Sequence, residues 1–350
     1  MTTAVGVRSD FVIPTLVQDQ QYRTWMENLN VFNAASRGAI VLNNVPAATA
    51  IGENVDFARF TQLAQATDAR GDTTTTDPTT KANVTALKQS TGVAVNQKRL
   101  IGPVAVGVDA IVTGKTTREA VSMNIGQQFA ELQMIALRNN GIAAALAATS
   151  SIDTPTADCH TLAKWTQTKS ASAKKTITTA YLLQMLALMG DAAEKILVWV
   201  MPSSIYFDLV AEQIANYKID SVAGWAIAQG SPITLNRPVL VADVGALTTD
   251  WTSSYFDKAF VLGLGAGAIQ ATIKSDSGVV AYDMMDTPQV QAHARQDYWV
   301  EWALGGMKWV PGSIHNPTDA QLATAGNWDE DYQTHKECPI IAGTFNISAS

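Results

Sequence analysis

The sequence predicts an α+β protein in which a mixed α/β body carries one very long helix and a protruding two-stranded loop. Three observations lead to this fold class. Residues 117–148 show a helical pattern that is interrupted only by an Asn-Asn-Gly step. Residues 54–107 contain two stretches of alternating apolar residues on either side of a Thr-rich segment. Residues 178–286 alternate between helix-like and strand-like patterns.

Composition and charge exclude several classes of protein. The 350 residues are 47% hydrophobic, which is enough for a sizeable core, and 16% charged with a net charge of −7. This acidic balance argues against a basic face that grips nucleic acid. The two cysteines, Cys159 and Cys338, do not make a disulfide framework, and the first residues do not resemble a secretory signal. No apolar run approaches the roughly 20 residues of a membrane helix, so we expect no membrane partner.

The first 107 residues are predicted to form two projecting parts. Residues 1–53 read as an arm with modest local structure, whose one helical pattern, at about 17–30, has on one side Tyr22, Trp25, Met26 and Leu29. Residues 54–107 read as a two-stranded loop whose tip is rich in Thr, Asp, Gly and Pro. A two-stranded ribbon alone is marginal in water, so its edges invite another chain to complete them.

The long helix is predicted over residues 117–148, with Thr116 and Glu119 forming a capping box at its start. Apolar residues at spacings of three and four predict one buried side: Val121, Ile125, Phe129, Leu132, Ala136, Ala143 and Leu146. Gly126 and Gly141 each cost about 1 kcal/mol relative to Ala in a helix. We therefore expect Gly126 to permit close packing and residues 139–141 to mark a break or an early end. The alternative is a built-in bend point at the two glycines.

Residues 178–286 predict a compact mixed α/β body. Helical patterns in TTAYLLQMLALMGDAA and SSIYFDLVAEQIANY alternate with strand patterns in KILVWVM and RPVLVAD. Residues 287–310 predict a further strand that ends in an aromatic cluster. The polar segment 311–350 predicts at most a short strand, at Ile340 and Ile341.

One motif resembles a phosphate-binding loop, but its spacing is wrong. Gly114-Lys115-Thr116 follows a strand pattern and precedes the long helix. Such a loop needs a glycine five positions before Gly114, where this sequence has Asp109, a carboxylate facing the place of a phosphate. A nucleotide-binding α/β enzyme therefore stays only an alternative, and no GxSxG nucleophile motif offers another enzymatic reading.

The remaining candidate sites are equally weak. Gly263, Gly265 and Ala268 match the loose dinucleotide fingerprint, but the residues that follow alternate as in a strand, so we expect a glycine-relieved bend between two strands. A zinc site would have to be built from Cys159, His160, His335 and Cys338. Adjacent residues such as the first two rarely bind one ion, and the sequence has no CxxC pair. We predict no catalytic, cofactor or metal site.

The order of these parts resembles the major capsid protein of tailed bacteriophages, with the Hong Kong ninety-seven type of fold. KAFVLGLGAGAI and RQDYWVEWALGGMKW are similar to two late strands of that family. The resemblance implies an N-terminal arm (1–53), an extended loop (54–107), a peripheral domain (108–177) with the spine helix and a return strand (287–310), an axial domain (178–286) and a C-terminal segment (311–350). We expect no long N-terminal helical extension of the kind that acts as a fused scaffold, so a separate scaffolding protein, or none, is implied.

The resemblance implies a non-enzymatic shell subunit that needs no cofactor. It would form hexamers and pentamers of an icosahedral head around double-stranded DNA, which it encloses without specific binding. The implied partners are a portal protein at one vertex and separate scaffolding or decoration proteins, and the implied location is the virion, after assembly in the bacterial cytoplasm. Charged residues of the loop and the helix are candidates for contacts between copies: Arg70, Asp72, Lys81, Lys88, Arg118, Glu131 and Arg138. Chemical cross-linking through the two lysines is not predicted.

Two other readings stay open beside the nucleotide-binding enzyme. A bacterial nanocompartment shell has the same fold, and a virion adhesin could present the Thr-rich tip. For the shell subunit, the two helix glycines predict a long helix that is bent in the precursor and straighter after maturation. Gly126→Ala should then alter maturation more than the yield of subunits.

Overall fold

Two large β-sheets, one small two-stranded sheet and one long helix organise the described part of the protein. The computed structural model describes residues 12–44, 54–60, 89–107, 116–151, 164–166, 177–216, 234–249, 256–284, 291–312, 314–331 and 335–348. The helices are α1 (Pro14–Ala35), α2 (Arg118–Ser151), α3 (Thr179–Ala187), α4 (Ser203–Asn216) and α5 (Asp319–Leu322). The strands are β1 (Ile40–Asn44), β2 (Val55–Phe60), β3 (Gln89–Gly107), β4 (Lys164–Thr166), β5 (Ile196–Met201), β6 (Val239–Val241), β7 (Thr248–Thr249), β8 (Phe256–Gly265), β9 (Ile269–Met284), β10 (Gln291–Leu304), β11 (Met307–Trp309), β12 (Trp328–Glu330) and β13 (Ile340–Ser348). Short 3₁₀ turns cover Gly190–Lys195, Ala325–Asn327 and His335–Glu337.

The long helix α2 has 34 residues and is continuous. The Ala120 N–H donates to Thr117 Oγ1 at 3.2 Å, so the N-cap lies one residue later than the predicted capping box of Thr116 and Glu119. The break predicted at residues 139–141 is wrong, because the helix runs on to Ser151. Gly141 is buried where a Cβ would lie 2.8 Å from Ile269 Cγ2, so packing on β9 offsets the low helix propensity of this step.

The two halves of α2 are buried in different ways. In the first half, Ile125, Phe129 and Leu137 face the core, whereas Leu132, which was predicted to be buried, is 50% exposed and Gln133 takes the inner position. In the second half, residues 144–149 are all buried. This half of the helix shares one hydrophobic core with both sheets. Because its residues are small on every side, it can pack between the two sheets.

The five-stranded sheet has the order β1-β9-β10-β3-β2. β3 changes partner along its length: Gln89–Ala94 pair with β2, and Val95–Gly107 pair with β10. The two-stranded ribbon of β2 and the start of β3 therefore extends beyond the end of β10. The second half of β3, which the sequence assigned to the extended loop, pairs with β10 in this sheet.

The six-stranded sheet has the order β4-β13-β8-β5-β6, with β7 paired to β8. Helices α3 and α4 cover one face, where a second group of apolar side chains is buried: Leu182, Met185, Leu186, Ile205 and Leu209 against Trp199, Val261, Ile341 and Phe345. The turn between β8 and β9 contains Gly267 at φ +65°, which confirms the predicted glycine-relieved bend between two strands.

Two strands lie in a different place from the one that the sequence predicted. β9 falls within residues 178–286 but pairs with β1 and β10 in the five-stranded sheet. The C-terminal strand β13 has nine residues and lies inside the six-stranded sheet between β4 and β8, where only a short strand was predicted. Sheet order depends on pairing between distant segments, which local alternation does not report.

The N-terminal region is helical and docked, not a loosely structured arm, within residues 12–44. α1 has 22 residues and begins with Pro14 in its first turn. Val17, Gln21, Trp25 and Leu29 repeat every four residues and are buried against the rest of the chain. Tyr22, which was predicted on the packing side, is 54% exposed.

Candidate assembly surfaces

The interface between α1 and α2 is built around a glycine. A Cβ at Gly126 would clash with the main-chain carbonyl of Val17 and lie 3.0 Å from Gln20 Cβ. One turn earlier, Ser122 Oγ accepts the Ile13 N–H at 3.0 Å and donates to the Arg118 carbonyl at 2.8 Å. The absence of a side chain at Gly126 therefore lets the two helix backbones approach closely, as the packing interpretation of this residue predicted.

Three buried glutamines connect α1, α2 and the five-stranded sheet. Gln21 Nε2 donates to Gln133 Oε1 at 3.2 Å and to Gln296 Oε1 at 2.7 Å. All three side chains are at most 4% exposed. Such buried polar groups hold their elements in one register, because any shift would leave an amide without a partner in a low-dielectric core.

The base of the extended loop is held by one carboxylate of the C-terminal segment. Asp319 Oδ1 accepts from Arg99 Nη1 at 2.6 Å, Gln97 Nε2 at 2.7 Å and Asn140 Nδ2 at 3.1 Å. Gln97 in turn accepts the Trp302 indole N–H at 3.0 Å. One carboxylate thus ties β3 to α2, and β3 is also hydrogen-bonded to β10 through an indole.

Asp319→Asn is expected to lower the free energy of unfolding by about 1 to 2 kcal/mol at neutral pH, because the amide offers fewer acceptor sites to three donors. Partial burial would raise the pKa of Asp319, but hydrogen bonding and the charge of Arg99 outweigh it and hold the pKa below its ordinary value. The carboxylate therefore stabilises the fold above its unfolded pKa, near 4, and this contribution is lost as the pH falls through the folded pKa.

Denaturant unfolding of the two proteins between about pH 7 and pH 2 checks this prediction, and the difference between them should shrink below about pH 4. Asp329→Asn is the matched control, because Asp329 is similarly exposed and its carboxylate has fewer partners, namely Lys308 at 3.1 Å and the Glu330 N–H at 3.0 Å. Asp329→Asn should lower the free energy of unfolding by less than Asp319→Asn does. A difference for Asp319→Asn that persists unchanged at pH 2 would contradict the assignment.

Helices α3 and α4 expose mainly uncharged side chains on the side away from their sheet, beside the half-buried Asp208 and Glu212 of α4. Seven exposed residues form this helical patch: Ala180, Leu183, Gln184, Ala187, Ser204, Phe207 and Ala211. Phe207 is 65% exposed and Leu183 52% exposed. The two helices are joined where the Thr179 N–H donates to Glu212 Oε2 at 2.9 Å. A patch with two large exposed apolar side chains is typical of a protein contact surface.

The sequence-predicted contact residues are only partly within the structure. Arg70, Asp72, Lys81 and Lys88 lie outside the described residues. Arg118 and Glu131 are exposed on α2, and Glu131 Oε1 accepts from Gln127 Nε2 at 3.0 Å. Arg138 is half-buried and donates to Asn139 Oδ1 at 3.1 Å. Thirteen residues, about 20 Å of helix, separate Arg118 from Glu131, so these side chains do not form one cluster.

Sequence reasoning missed the helical patch, Asp319 and the glutamine network. An exposed Phe or Leu on an amphipathic helix could have been recognised from the pattern of α4, where Phe207 falls outside the buried side. Gln21 and Gln133 are 112 residues apart, and no local signal connects them.

Most of the other sequence candidates lie outside the described residues. Gly114 and Lys115 lie outside the described residues. Of the residues considered as zinc ligands, Cys159 and His160 also lie outside, and Cys338 is buried with its thiol donating to the Ile340 carbonyl at 3.5 Å. Within the described ranges no three His, Cys, Asp or Glu side chains are grouped as a metal site.

Comparison with known families decides the identity of the chain. The family described as Major capsid protein 13-like matches residues 12–343. The chain belongs to this family. It is a tailed-phage capsid protein with the Hong Kong ninety-seven type of fold, as the sequence predicted. No curated protein matches it by sequence.

Two solved phage shells are similar to this capsid protein in structure. The capsid of Ralstonia phage GP4 is 12% identical with a TM-score of 0.52, and the match covers 90% of this chain and 88% of that one. The cyanophage Pam1 capsid asymmetric unit is 14% identical with a TM-score of 0.50, covering 89% and 90%. At these identities the likeness concerns the fold alone, and the family match carries the identity.

Membership in a capsid family indicates a structural protein that associates with itself and is a virion component, not an enzyme. None of the helices in the described part of the chain is both long enough and apolar enough to cross a bilayer.

Proposed function

We propose that this capsid protein assembles into the hexamers and pentamers of an icosahedral head that encloses double-stranded DNA. The observation that carries the proposal is the family match over residues 12–343. Two features of the structure support it. The ribbon of β2 and β3 extends beyond the sheet, and the helical patch exposes Leu183 and Phe207; both would gain contacts when copies surround one another.

Weak contacts are sufficient in such a shell. Each contact is repeated around closed rings, so modest pairwise affinities combine into a stable assembly. The net charge of −7 suits a container whose wall must let DNA slide without binding it. We propose a portal at one vertex, separate scaffolding or decoration proteins, and assembly in the bacterial cytoplasm before release in the virion.

We also propose the division into an arm, extended loop, peripheral domain, axial domain, return strand and C-terminal segment that the resemblance implies. The two-sheet organisation supports a peripheral and an axial part, with β9 joining the peripheral one and β13 the axial one. A bend of α2 at Gly126 or Gly141 in the precursor shell remains a prediction for that state.

Expression of the chain followed by electron microscopy tests the main proposal. Closed particles built of hexamers and pentamers are expected, and stable monomers under all salt conditions would contradict it. Neighbouring portal and terminase genes would separate a phage head from a nanocompartment. Binding of a labelled nucleotide that is lost in Lys115→Ala would favour the enzymatic alternative.

Deletion of residues 66–82, most of the Thr-rich tip, is expected to abolish particle formation while leaving a folded subunit. The physical reason is that the tip is predicted to complete its contacts on another copy, whereas its sequence has almost no apolar residues to bury. Sedimentation measures assembly and circular dichroism measures folding. The adhesin alternative predicts the opposite, that particles survive the deletion.

A further inference from the structure

Two strands of the five-stranded sheet have one side without a neighbouring strand in the described part of the chain. β1 is the first strand in the sheet order, and β3 is outermost along Val95–Gly107 because β2 pairs only with Gln89–Ala94. An edge strand presents alternate N–H and C=O groups with which a strand of another chain can pair. The partners of these groups therefore decide whether a further strand can be added.

The end of α1 closes the edge of β1. Asn33 Nδ2 donates to the Leu42 carbonyl at 3.0 Å, and the Leu42 N–H donates to Asn33 Oδ1 at 3.2 Å. Ser36 Oγ donates to the Ile40 carbonyl at 3.0 Å, two residues earlier on the same edge. The side-chain amide of Asn33 offers one donor and one acceptor, as a residue of a neighbouring strand does. It therefore occupies the place where such a strand would pair.

A second asparagine closes the edge of β3. The Lys98 N–H donates to Asn316 Oδ1 at 2.7 Å, so this N–H points away from β10. Asn316 is itself exposed, but the residues that follow it are anchored. Pro317 is buried, and Asp319 accepts from Arg99 at 2.6 Å. The anchored segment holds the Asn316 amide against the strand.

The rest of this edge is also unsuited to pairing. Pro103 has no N–H to donate, and the register of β3 against β10 shifts opposite residues 294–296. Leu100 is 50% exposed between this irregularity and the Asn316 contact. Prolines and bulges are devices that keep an edge strand from pairing with other chains. The amide of Asn316 is thus one of two obstacles on the same edge.

We propose that Asn33 and Asn316 are edge caps, which prevent β1 and β3 from pairing with strands of another copy of this chain. A second copy is the relevant strand donor because an uncapped edge is complementary to the same edge of an identical chain. This role belongs to the free subunit before any shell forms, so it goes beyond the proposed function. Edge pairing would join subunits in a geometry that uses neither the helical patch nor the ribbon.

The test removes the caps one at a time and together, with Asn33→Ala, Asn316→Ala and the double variant. Hydrogen exchange should become faster at the Leu42 amide in the first variant and at the Lys98 amide in the second, because each amide loses its acceptor. Sedimentation velocity then measures the association of free subunits below the concentration at which shells form. The concentration at which other complexes appear should fall about ten-fold or more in the double variant, since two strand edges become available.

Two controls separate edge pairing from simple loss of stability. Asn30→Ala changes an exposed asparagine one turn earlier on α1 and should sediment as the wild type does. Ile205→Val destabilises the covering helix of the other sheet, where Ile205 is fully buried, and uncaps no edge. Faster exchange at Leu42 and Lys98 with unchanged sedimentation would overturn the proposal, and so would equal association of Ile205→Val. Shell formation by the wild type is scored separately, so its failure would contradict the proposed function alone.

Discussion

A capsid protein carrying Phe207→Glu is expected to fold normally but not to form shells. Because Phe207 is 65% exposed, its replacement should change the free energy of unfolding by no more than about 0.5 kcal/mol. Burying an aromatic side chain between copies contributes about 1.5 to 3 kcal/mol, and a carboxylate at the same place would have to be desolvated. Losing about 2 kcal/mol weakens each contact roughly thirty-fold. The loss recurs at every copy of the contact, so assembly should fail.

Sedimentation of the purified variant measures the loss of shells, and its thermal unfolding checks that the subunit is intact. Val31→Glu is the charge-matched control: Val31 is 70% exposed on α1 and lies outside the helical patch. This control should assemble. Phe207→Leu keeps an apolar side chain and should retain partial assembly. Shells of Phe207→Glu with normal yield would show that the helical patch faces solvent in the particle.

The parts of the fold that follow from local pattern were predictable from the sequence. α2 was expected because a capping Thr precedes a long segment without strong breakers, and the observed start differs by one residue. β2 and β3 were expected because apolar residues alternate on either side of a turn-rich segment. In each case the pattern is set by residues close together in the sequence, where helix propensity and the periodicity of apolar residues predict secondary structure.

The parts that depend on distant contacts were not predictable. Gln133 occupies a buried position of α2 because Gln21 donates to it from α1, so the apolar stripe that included Leu132 was misplaced. The step at residues 139–141 stays helical because Gly141 packs against Ile269 and Trp302. No single-sequence pattern reports these partners.

The candidate contact residues show the same limit. Charged residues on α2 and at the loop tip were chosen because they lie off the apolar stripe, but their position alone does not identify a contact. The structure adds Phe207 and Leu183, whose exposure depends on how α3 and α4 pack on their sheet. It also adds Asp319, which becomes a junction only when β3 and α2 are brought together.

Gly126→Ala is expected to lower the free energy of unfolding by about 1 to 2 kcal/mol, although alanine is the better helix former. The new Cβ would clash with the main-chain carbonyl of Val17, so α1 must move away from α2. Overpacking of this kind costs about 1 to 3 kcal/mol, whereas the gain in helix propensity is about 1 kcal/mol. A displaced α1 would also weaken the hydrogen bonds of Gln21, which adds to the loss.

Gly141→Ala provides the matched control on the same helix. Its Cβ would meet the Ile269 side chain at 2.8 Å and Trp302 Cζ3 at 3.4 Å, not a main-chain atom. Moving these two side chains slightly should cost about as much as the higher helix propensity of alanine gains. The net change in the free energy of unfolding should therefore stay below about 1 kcal/mol. Denaturant unfolding measures both variants, and faster trypsin cleavage after Arg23 or Arg37 reports undocking of α1. If Gly126→Ala is as stable as the wild type and alters only shell maturation, Gly126 acts as the bend point of α2 and not as the residue that allows α1 to pack closely on α2.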